Sequence, residues 1–162
     1  MVNIPIQGAT PEYERAIRRC IATFPPWFVS AARVSKIIIT SRPEIREQIA
    51  QYEHGSRHLY IYPGIGSMLL KAVGHELSHG VDDNFESSHF FTSSETWKHI
   101  HRNQGAFDIP KYELEPLEYF ADMVTKLHLM GIDKMRTTNP DEMSYLTSYV
   151  FPTLKSAFGA SQ

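Results

Sequence analysis

Cysteine is almost absent from this sequence of 162 residues, since Cys20 is its only one. An intrachain disulfide is therefore impossible, and a structural zinc site built from several thiolates is excluded. A surplus of basic residues is missing too, because the net charge is −2 and the isoelectric point is near 6.4. This balance argues against a general nucleic-acid-binding protein, which would carry an excess of lysine and arginine.

Long hydrophobic runs are also missing. No apolar stretch approaches the roughly 18 residues that a membrane helix needs, so no membrane partner is expected. Residues 1–7 lack the basic region and the apolar stretch of a secretory signal peptide, and we therefore expect a cytoplasmic protein or one exported by a signal-independent route. The length, the 42% of hydrophobic residues and the lack of repeats predict one globular domain spanning residues 1–162.

Turn residues and hydrophobic periodicity divide the chain into helical and extended segments, which together predict an α+β fold. The predicted strands are residues 34–40 and 58–62, both rich in β-branched or aromatic side chains. The predicted helices, in order, are residues 11–24, 45–52, 67–80, 94–102, 113–130 and a last one from residue 140. The rest of the segment 82–111 is polar and predicts a long loop, a kind of segment that often has a function.

The predicted helix at residues 67–80 contains the sequence His75-Glu76-Leu77-Ser78-His79, which is the HExxH pattern. Because residues four apart lie on one helix face, the imidazoles of His75 and His79 can bind a single metal ion. Glu76 is rotated by about 100° from His75, where it can accept a proton from water that the ion activates. The alternative is a pair of surface histidines with an unrelated glutamate, which the hydrophobic flanks of this helix disfavour.

A catalytic zinc ion usually has three protein ligands, so the third must come from another segment. The extended pattern HExxHxxGxxH is ruled out, because Asp82 and Phe85 occupy its glycine and histidine positions. Glu118 is the best downstream candidate, since it lies on the predicted helix 113–130 beside a hydrophobic stripe. Glu115, one turn earlier, is a rival ligand, and Asp122 or another group remains an alternative.

Two further residues have expected roles around the metal. Asp122 lies one turn after Glu118 and can accept a hydrogen bond from a ligand histidine, for which we expect His75. Tyr112 stands just before the same helix, and a phenol at the rim of the site can donate a hydrogen bond to the oxyanion of amide hydrolysis. The alternative for Tyr112 is simple packing at the start of the helix.

The residues His75–Asp83 and Glu118–Asp122, with Tyr112 before the second stretch, resemble the HExxH zinc peptidases of the gluzincin type. Among these, the chain is most similar to the catalytic domain of anthrax lethal factor and to the Pro-Pro endopeptidases. The resemblance implies a zinc-dependent endopeptidase with a zincin-like fold. In that fold a small twisted sheet packs against the HExxH helix and against a following helix that carries the glutamate.

The same resemblance implies a role for each site residue. One zinc ion per chain would be bound by His75, His79 and Glu118. Glu76 would be the general base, and Tyr112 would stabilise the tetrahedral intermediate. A peptide or protein is the implied substrate, and the oligomeric state is left open.

The resemblance further implies that the strand at residues 58–62 is the sheet edge along which an extended peptide adds. Two other interpretations stay open. An ImmA/IrrE-like cytoplasmic regulatory metallopeptidase also pairs HExxH with a later glutamate on a helix. A non-catalytic peptide-binding module with a zinc ion is the third interpretation, although Glu76 argues against it because a structural zinc site does not use a base.

Overall fold

Helices and strands are mixed along the chain, which confirms the predicted α+β class. The structure is a computed structural model that describes residues 3–40, 49–86, 89–103 and 115–159. The strands are β1 (Ile6–Gln7), β2 (Lys36–Ile39), β3 (Ala50–Glu53) and β4 (His58–Ile61). The helices are α1 (Pro11–Ala22), α2 (Pro26–Ala32), α3 (Leu69–Asn84), α4 (Glu95–Asn103), α5 (Pro116–Met130), α6 (Ile132–Thr138), α7 (Pro140–Tyr145) and α8 (Phe151–Phe158).

Most segments predicted from the sequence are confirmed with small shifts at their ends. Helix α1 begins after Thr10, whose hydroxyl accepts the backbone N–H of Tyr13 at 3.3 Å, as an N-cap residue should. Strands β2 and β4 lie inside the two predicted strands. Helix α3 starts after a 3₁₀ turn at Gly66–Met68 and continues to Asn84, four residues beyond its predicted end.

The prediction of a helix at residues 45–52 is wrong for its last three residues, because Ala50–Glu53 is strand β3. Residues 41–48, with the proposed capping box, lie outside the described residues. The spacing of Ile49 and Tyr52 fits a helix, but a window of four residues cannot separate a helical period from a strand's alternation. Pairing decides the outcome: Tyr52 lies opposite Leu59 of β4 in an antiparallel ladder closed by the turn between them.

The four strands form one mixed sheet in the order β1-β2-β4-β3. Strands β1, β2 and β4 run parallel to one another, and β3 is antiparallel to β4. The expectation that residues 58–62 form the sheet edge is therefore wrong, because β4 is paired on both sides. Among the described residues, the edge on that side of the sheet is β3.

Helix α3 is the central element of the hydrophobic core. It packs against α1, α2 and α5 and against strands β3 and β4. Its residues Val73, Leu77 and Val81, spaced four apart, are fully buried. The core continues from the sheet into the C-terminal helices, where Trp97 and Leu146 are also fully buried. Burial on almost every side holds α3 in place, which matters because this helix carries the HExxH pattern.

Gly80 allows α3 to approach α2 closely. A Cβ atom at this position would lie 2.7 Å from the backbone carbonyl oxygen of Ala32 and 3.3 Å from the ring of Tyr52. We expect Gly80→Ala to lower the free energy of unfolding by about 1–2 kcal/mol, after allowing for alanine's better helix propensity. Chemical denaturation measures this change.

Gly55→Ala is the matched control for this prediction. No heavy atom lies within 4 Å of the added Cβ at Gly55, in the turn between β3 and β4. We expect its effect to stay within about 0.5 kcal/mol. Equal stabilities of the Gly80 and Gly55 variants would contradict the close approach of α2 and α3.

Candidate metal centre

The two histidines of the HExxH pattern lie on the same face of α3, as their spacing predicts. The rings of His75 and His79 meet edge to face, with centroids 4.7 Å apart. Both side chains are largely buried, with exposed fractions of 18% for His75 and 11% for His79. The packing of α3 therefore fixes two imidazoles side by side at the floor of a cleft.

Glu118 reaches these histidines from the first turn of α5. Its Oε2 lies 2.9 Å from Nε2 of His75, and its Oε1 lies 3.4 Å from Nε2 of His79. The close packing of α3 against α5 brings residues 43 positions apart into contact. The structure thus joins the three residues that the sequence analysis selected as metal ligands.

The surroundings lower the pKa of Glu118 and raise the pKa of His79, and both shifts favour the ionised forms. Burial works to raise the pKa of Glu118, but the hydrogen bonds with His75 and His79 outweigh it and hold that pKa well below its usual range. Burial alone would lower the pKa of His79, yet its pKa is raised by the hydrogen bond with Glu118 and by the charge of Glu76. The carboxylate is therefore present in its anionic, ligating form.

The three side chains can hold a metal ion. One donor atom from each of His75, His79 and Glu118 lies within 4.8 Å of the other two, and no other such cluster of three occurs among the described residues. Two imidazole nitrogens and a carboxylate oxygen are donors that divalent transition metals prefer. Nδ1 of His79 is buried without a hydrogen-bond partner among the described residues, so Nε2, which faces Glu118, is its available ligand atom.

Asp122 does not contact the histidine for which it was expected to be a partner. Its buried carboxylate lies 2.6 Å from the ammonium group of Lys126 and 3.9 Å from that of Lys71. Lys126 is one turn further along α5, so the short ion pair is a contact within the helix. The expected hydrogen bond from His75 to Asp122 is replaced by these ion pairs.

Glu76 lies next to the ligand histidines but faces strand β3. Its side chain is almost fully buried, and its Oε2 accepts the backbone N–H of Tyr52 at 2.7 Å. Burial raises the pKa of Glu76, while His79, His75 and the Tyr52 amide act in the opposite direction. A carboxyl group with a raised pKa accepts a proton more readily near neutral pH than an exposed glutamate does.

A cleft of about 870 Å³ runs along α3 above the histidines. It extends from Met68 and Lys71 at the beginning of the helix to Asp83 near its end. Strand β3 forms one wall, and the beginning of α5 contributes to the opposite side. The size suits several residues of a peptide rather than a single small ion.

Imidazole rings form the end wall of this cleft beside Asp83. The rings of His54 and His89 are stacked, with centroids 6.3 Å apart. Nδ1 of His54 is paired with the carboxylate of Asp83, and Nδ1 of His89 lies 3.4 Å from the carboxylate of Asp82. The two exposed rings are therefore tethered to the last turns of α3.

The other predicted site residues have different outcomes. Glu115 lines the cleft but is not one of the three residues whose donor atoms converge. Tyr112 lies outside the described residues, so its catalytic role stays a prediction. Sequence reasoning missed the Tyr52 amide, because a backbone donor has no side-chain signature and β3 itself was predicted as a helix.

Asp82 is a second residue that sequence reasoning missed. Its fully buried carboxylate accepts the backbone N–H groups of Phe91 and Thr92, each at 2.9 Å, and the hydroxyl of Thr92 at 2.6 Å. These bonds hold the turn that begins at His89 against α3. The sequence offered one signal, an aspartate on the apolar side of a helix. Burying such a carboxylate costs free energy unless it is hydrogen-bonded, so its position indicates buried donors nearby.

We expect Asp82→Asn to lower the free energy of unfolding by about 2–3 kcal/mol. The substitution removes the charge that strengthens three hydrogen bonds and places an NH₂ group against donors. Urea denaturation followed by circular dichroism measures the loss. Asp133→Asn, on the exposed first turn of α6, is the control and should change stability by less than about 0.5 kcal/mol. Equal midpoints for the two variants would contradict the anchoring role of Asp82.

Comparison with protein families and with curated proteins gives no relative from which a function could be transferred. No protein-family model matches the chain, and no curated protein is significantly similar to it. Among the residues that the structure describes, every helix is too short or too polar to cross a lipid bilayer. The residues of the cleft are therefore the features of this chain that indicate its function.

Proposed function

We propose that this protein is a zinc-dependent endopeptidase with a zincin-like arrangement of its sheet and its two ligand helices. One observation carries the proposal: His75, His79 and Glu118 converge at the floor of a long cleft, with a buried glutamate beside them. A purely structural metal site would be closed by a fourth protein ligand and would need neither the cleft nor the base.

Zinc is the metal that this donor set favours. Two histidines and one glutamate are a known composition of catalytic zinc sites, which use three protein ligands and leave one position open. When bound, zinc supplies a Lewis acid that polarises a carbonyl group and lowers the pKa of water. The ligand side chains His75, His79 and Glu118 would hold one ion per chain.

Glu76 is the residue of the chain that moves the proton in this proposal. Its carboxylate oxygen accepts a proton from the attacking water and returns it to the nitrogen of the leaving amine. The raised pKa of Glu76 supports this double role. A carboxyl group whose pKa lies nearer to neutral can both accept a proton from water and donate it to the leaving amine. Tyr112 remains the predicted hydrogen-bond donor to the oxyanion.

The substrate in this proposal is an extended peptide that lies along β3. The cleft borders this strand, and an edge strand offers backbone groups to a further strand. Cleavage within a chain is favoured over removal of a terminal residue, because the cleft extends along α3 to both sides of His75 and His79.

A peptide-cleavage assay with defined metal content tests the proposal. Full-length protein loaded with one equivalent of zinc is incubated with a mixture of random-sequence decapeptides, and products are identified by mass spectrometry. We expect internal cleavage that a chelator abolishes and added zinc restores. Zinc binding without any cleavage would favour the peptide-binding module and overturn the endopeptidase.

A further inference from the structure

In strand β3, every second residue directs its backbone N–H and C=O groups away from β4, toward the free edge of the sheet. In its antiparallel pairing with β4, Ala50 lies opposite Ile61 and Tyr52 lies opposite Leu59. The hydrogen bond from the N–H of Tyr62 to the carbonyl of Ile49 shows that residue 49 is a hydrogen-bonded position of the ladder. Since these positions alternate, the N–H and C=O groups of Ala50 and Tyr52 point away from β4.

The outward N–H of Tyr52 is the group that Glu76 holds. The bond of 2.7 Å joins the edge of the sheet to the carboxylate proposed as the base. Charge-assisted hydrogen bonds of this kind are stronger than those between neutral groups, and this one is partly buried. Glu76 is therefore anchored to the sheet edge by a backbone donor as well as by its own helix.

A peptide that adds to β3 as a strand needs the same donor. Backbone pairing at an antiparallel edge uses both the outward N–H and the outward C=O of a residue such as Tyr52. One N–H group makes a single well-aligned hydrogen bond, so a peptide carbonyl and the Glu76 carboxylate compete for it. A peptide strand therefore cannot pair with the Tyr52 N–H while Glu76 is hydrogen-bonded to the same group.

We propose that the Tyr52 N–H acts as a latch: its hydrogen bond holds the Glu76 side chain at the sheet edge. An extended peptide opens this latch when one of its carbonyl groups accepts the Tyr52 N–H in place of Glu76. The inference rests on the proposed function and specifies its substrate as a chain in β conformation that pairs with β3. A compact ligand that fills the cleft without backbone pairing leaves Glu76 bound to the sheet. Tyr52 acts here as a positioning residue through its backbone, and its side chain is not required for the latch.

Two variants of similar size separate the latch from other effects of Glu76. Glu76→Gln keeps a carbonyl oxygen that can accept the Tyr52 N–H, whereas Glu76→Met has the same length without that acceptor. Both are tested as full-length, zinc-loaded proteins with fluorescein-labelled random-sequence decapeptides, and binding is measured by fluorescence anisotropy. We expect Glu76→Met to bind the mixture about tenfold more tightly, because the peptide no longer competes for the amide.

Hydrogen exchange of the Tyr52 amide gives a second measurement that needs no peptide. In the free proteins, this amide should exchange about tenfold faster in Glu76→Met than in Glu76→Gln, while the amide of the inward-facing Gln51 keeps its rate. Added decapeptides should protect the Tyr52 amide in both variants.

The results distinguish the latch from the endopeptidase. Equal peptide affinities, no binding to either variant, or equal Tyr52 exchange rates would overturn the latch, even if the wild type cleaves peptides. Tighter binding by Glu76→Met together with a wild-type protein that cleaves nothing would support the latch and overturn the endopeptidase. Poor folding of Glu76→Met would show in its thermal unfolding. Glu76→Ala, which also lacks the acceptor, then takes its place, and equal peptide affinities of Glu76→Ala and Glu76→Gln would overturn the latch.

Discussion

We expect the replacement of Glu76 by glutamine to lower kcat/KM for peptide cleavage by about three orders of magnitude, while the protein should keep one zinc ion per chain. In the proposed mechanism the Glu76 carboxylate takes and returns the proton, and loss of a general base typically costs about 10²–10⁴-fold in rate. Glutamine has the same shape and keeps an acceptor for the Tyr52 amide, so the fold and the ligand cluster are preserved. Initial rates on the best-cleaved decapeptide give the change.

Glu14→Gln is the control for this experiment. Glu14 is exposed on α1, where it pairs with Arg18, and it does not line the cleft. The same chemical change is therefore made outside the candidate site. We expect kcat/KM of this variant to equal that of the wild type. A Glu76→Gln protein that cleaves as fast as the control would show that another group is the base, and the proposed mechanism would fall.

Removing the third ligand is expected to have the second-largest effect. Glu118→Ala should weaken zinc binding by at least about 100-fold, since it deletes one of three donors and the only anionic one. The carboxylate now lies between two imidazole nitrogens, and its lowered pKa shows that the anion is the favoured form there. Elemental mass spectrometry after gel filtration gives the zinc content, and competition with a fluorescent chelator gives the affinity.

Glu115→Ala is the matched variant for that prediction. Glu115 lies one turn before Glu118 and lines the same cleft, so the two substitutions remove equal charge from neighbouring places. Zinc content should stay at one ion per chain in Glu115→Ala. The opposite pattern, with zinc lost from this variant and kept by Glu118→Ala, would make Glu115 the ligand.

Much of the site could be predicted because its signals are local. The spacing of His75 and His79 needs only one turn of helix, and the apolar residues around them indicate that the helix is buried. Glu118 required a further step, from its place on a second helix beside an apolar stripe. Its contact with both histidines confirms that the two helices pack with these faces together.

The parts that sequence reasoning missed depend on contacts between distant segments. Strand β3 owes its conformation to pairing with β4, which outweighs the helical spacing of Ile49 and Tyr52. The partner of Asp122 was misassigned because a lysine one turn along the same helix is closer than a histidine on another helix. Helix periodicity places side chains on a face but does not give the rotation of one helix against its neighbour.

The end wall of stacked imidazoles sets a length scale for whatever occupies the cleft. Asp83, which tethers His54, lies four residues after His79 on the same rigid helix, an axial separation of about 6 Å. An extended chain that runs along α3 advances about 3.3 Å per residue, so about two of its residues span this axial separation. A longer segment on that side would have to turn out of the cleft, and in the proposed endopeptidase this obstacle would fix the position of the cleaved bond.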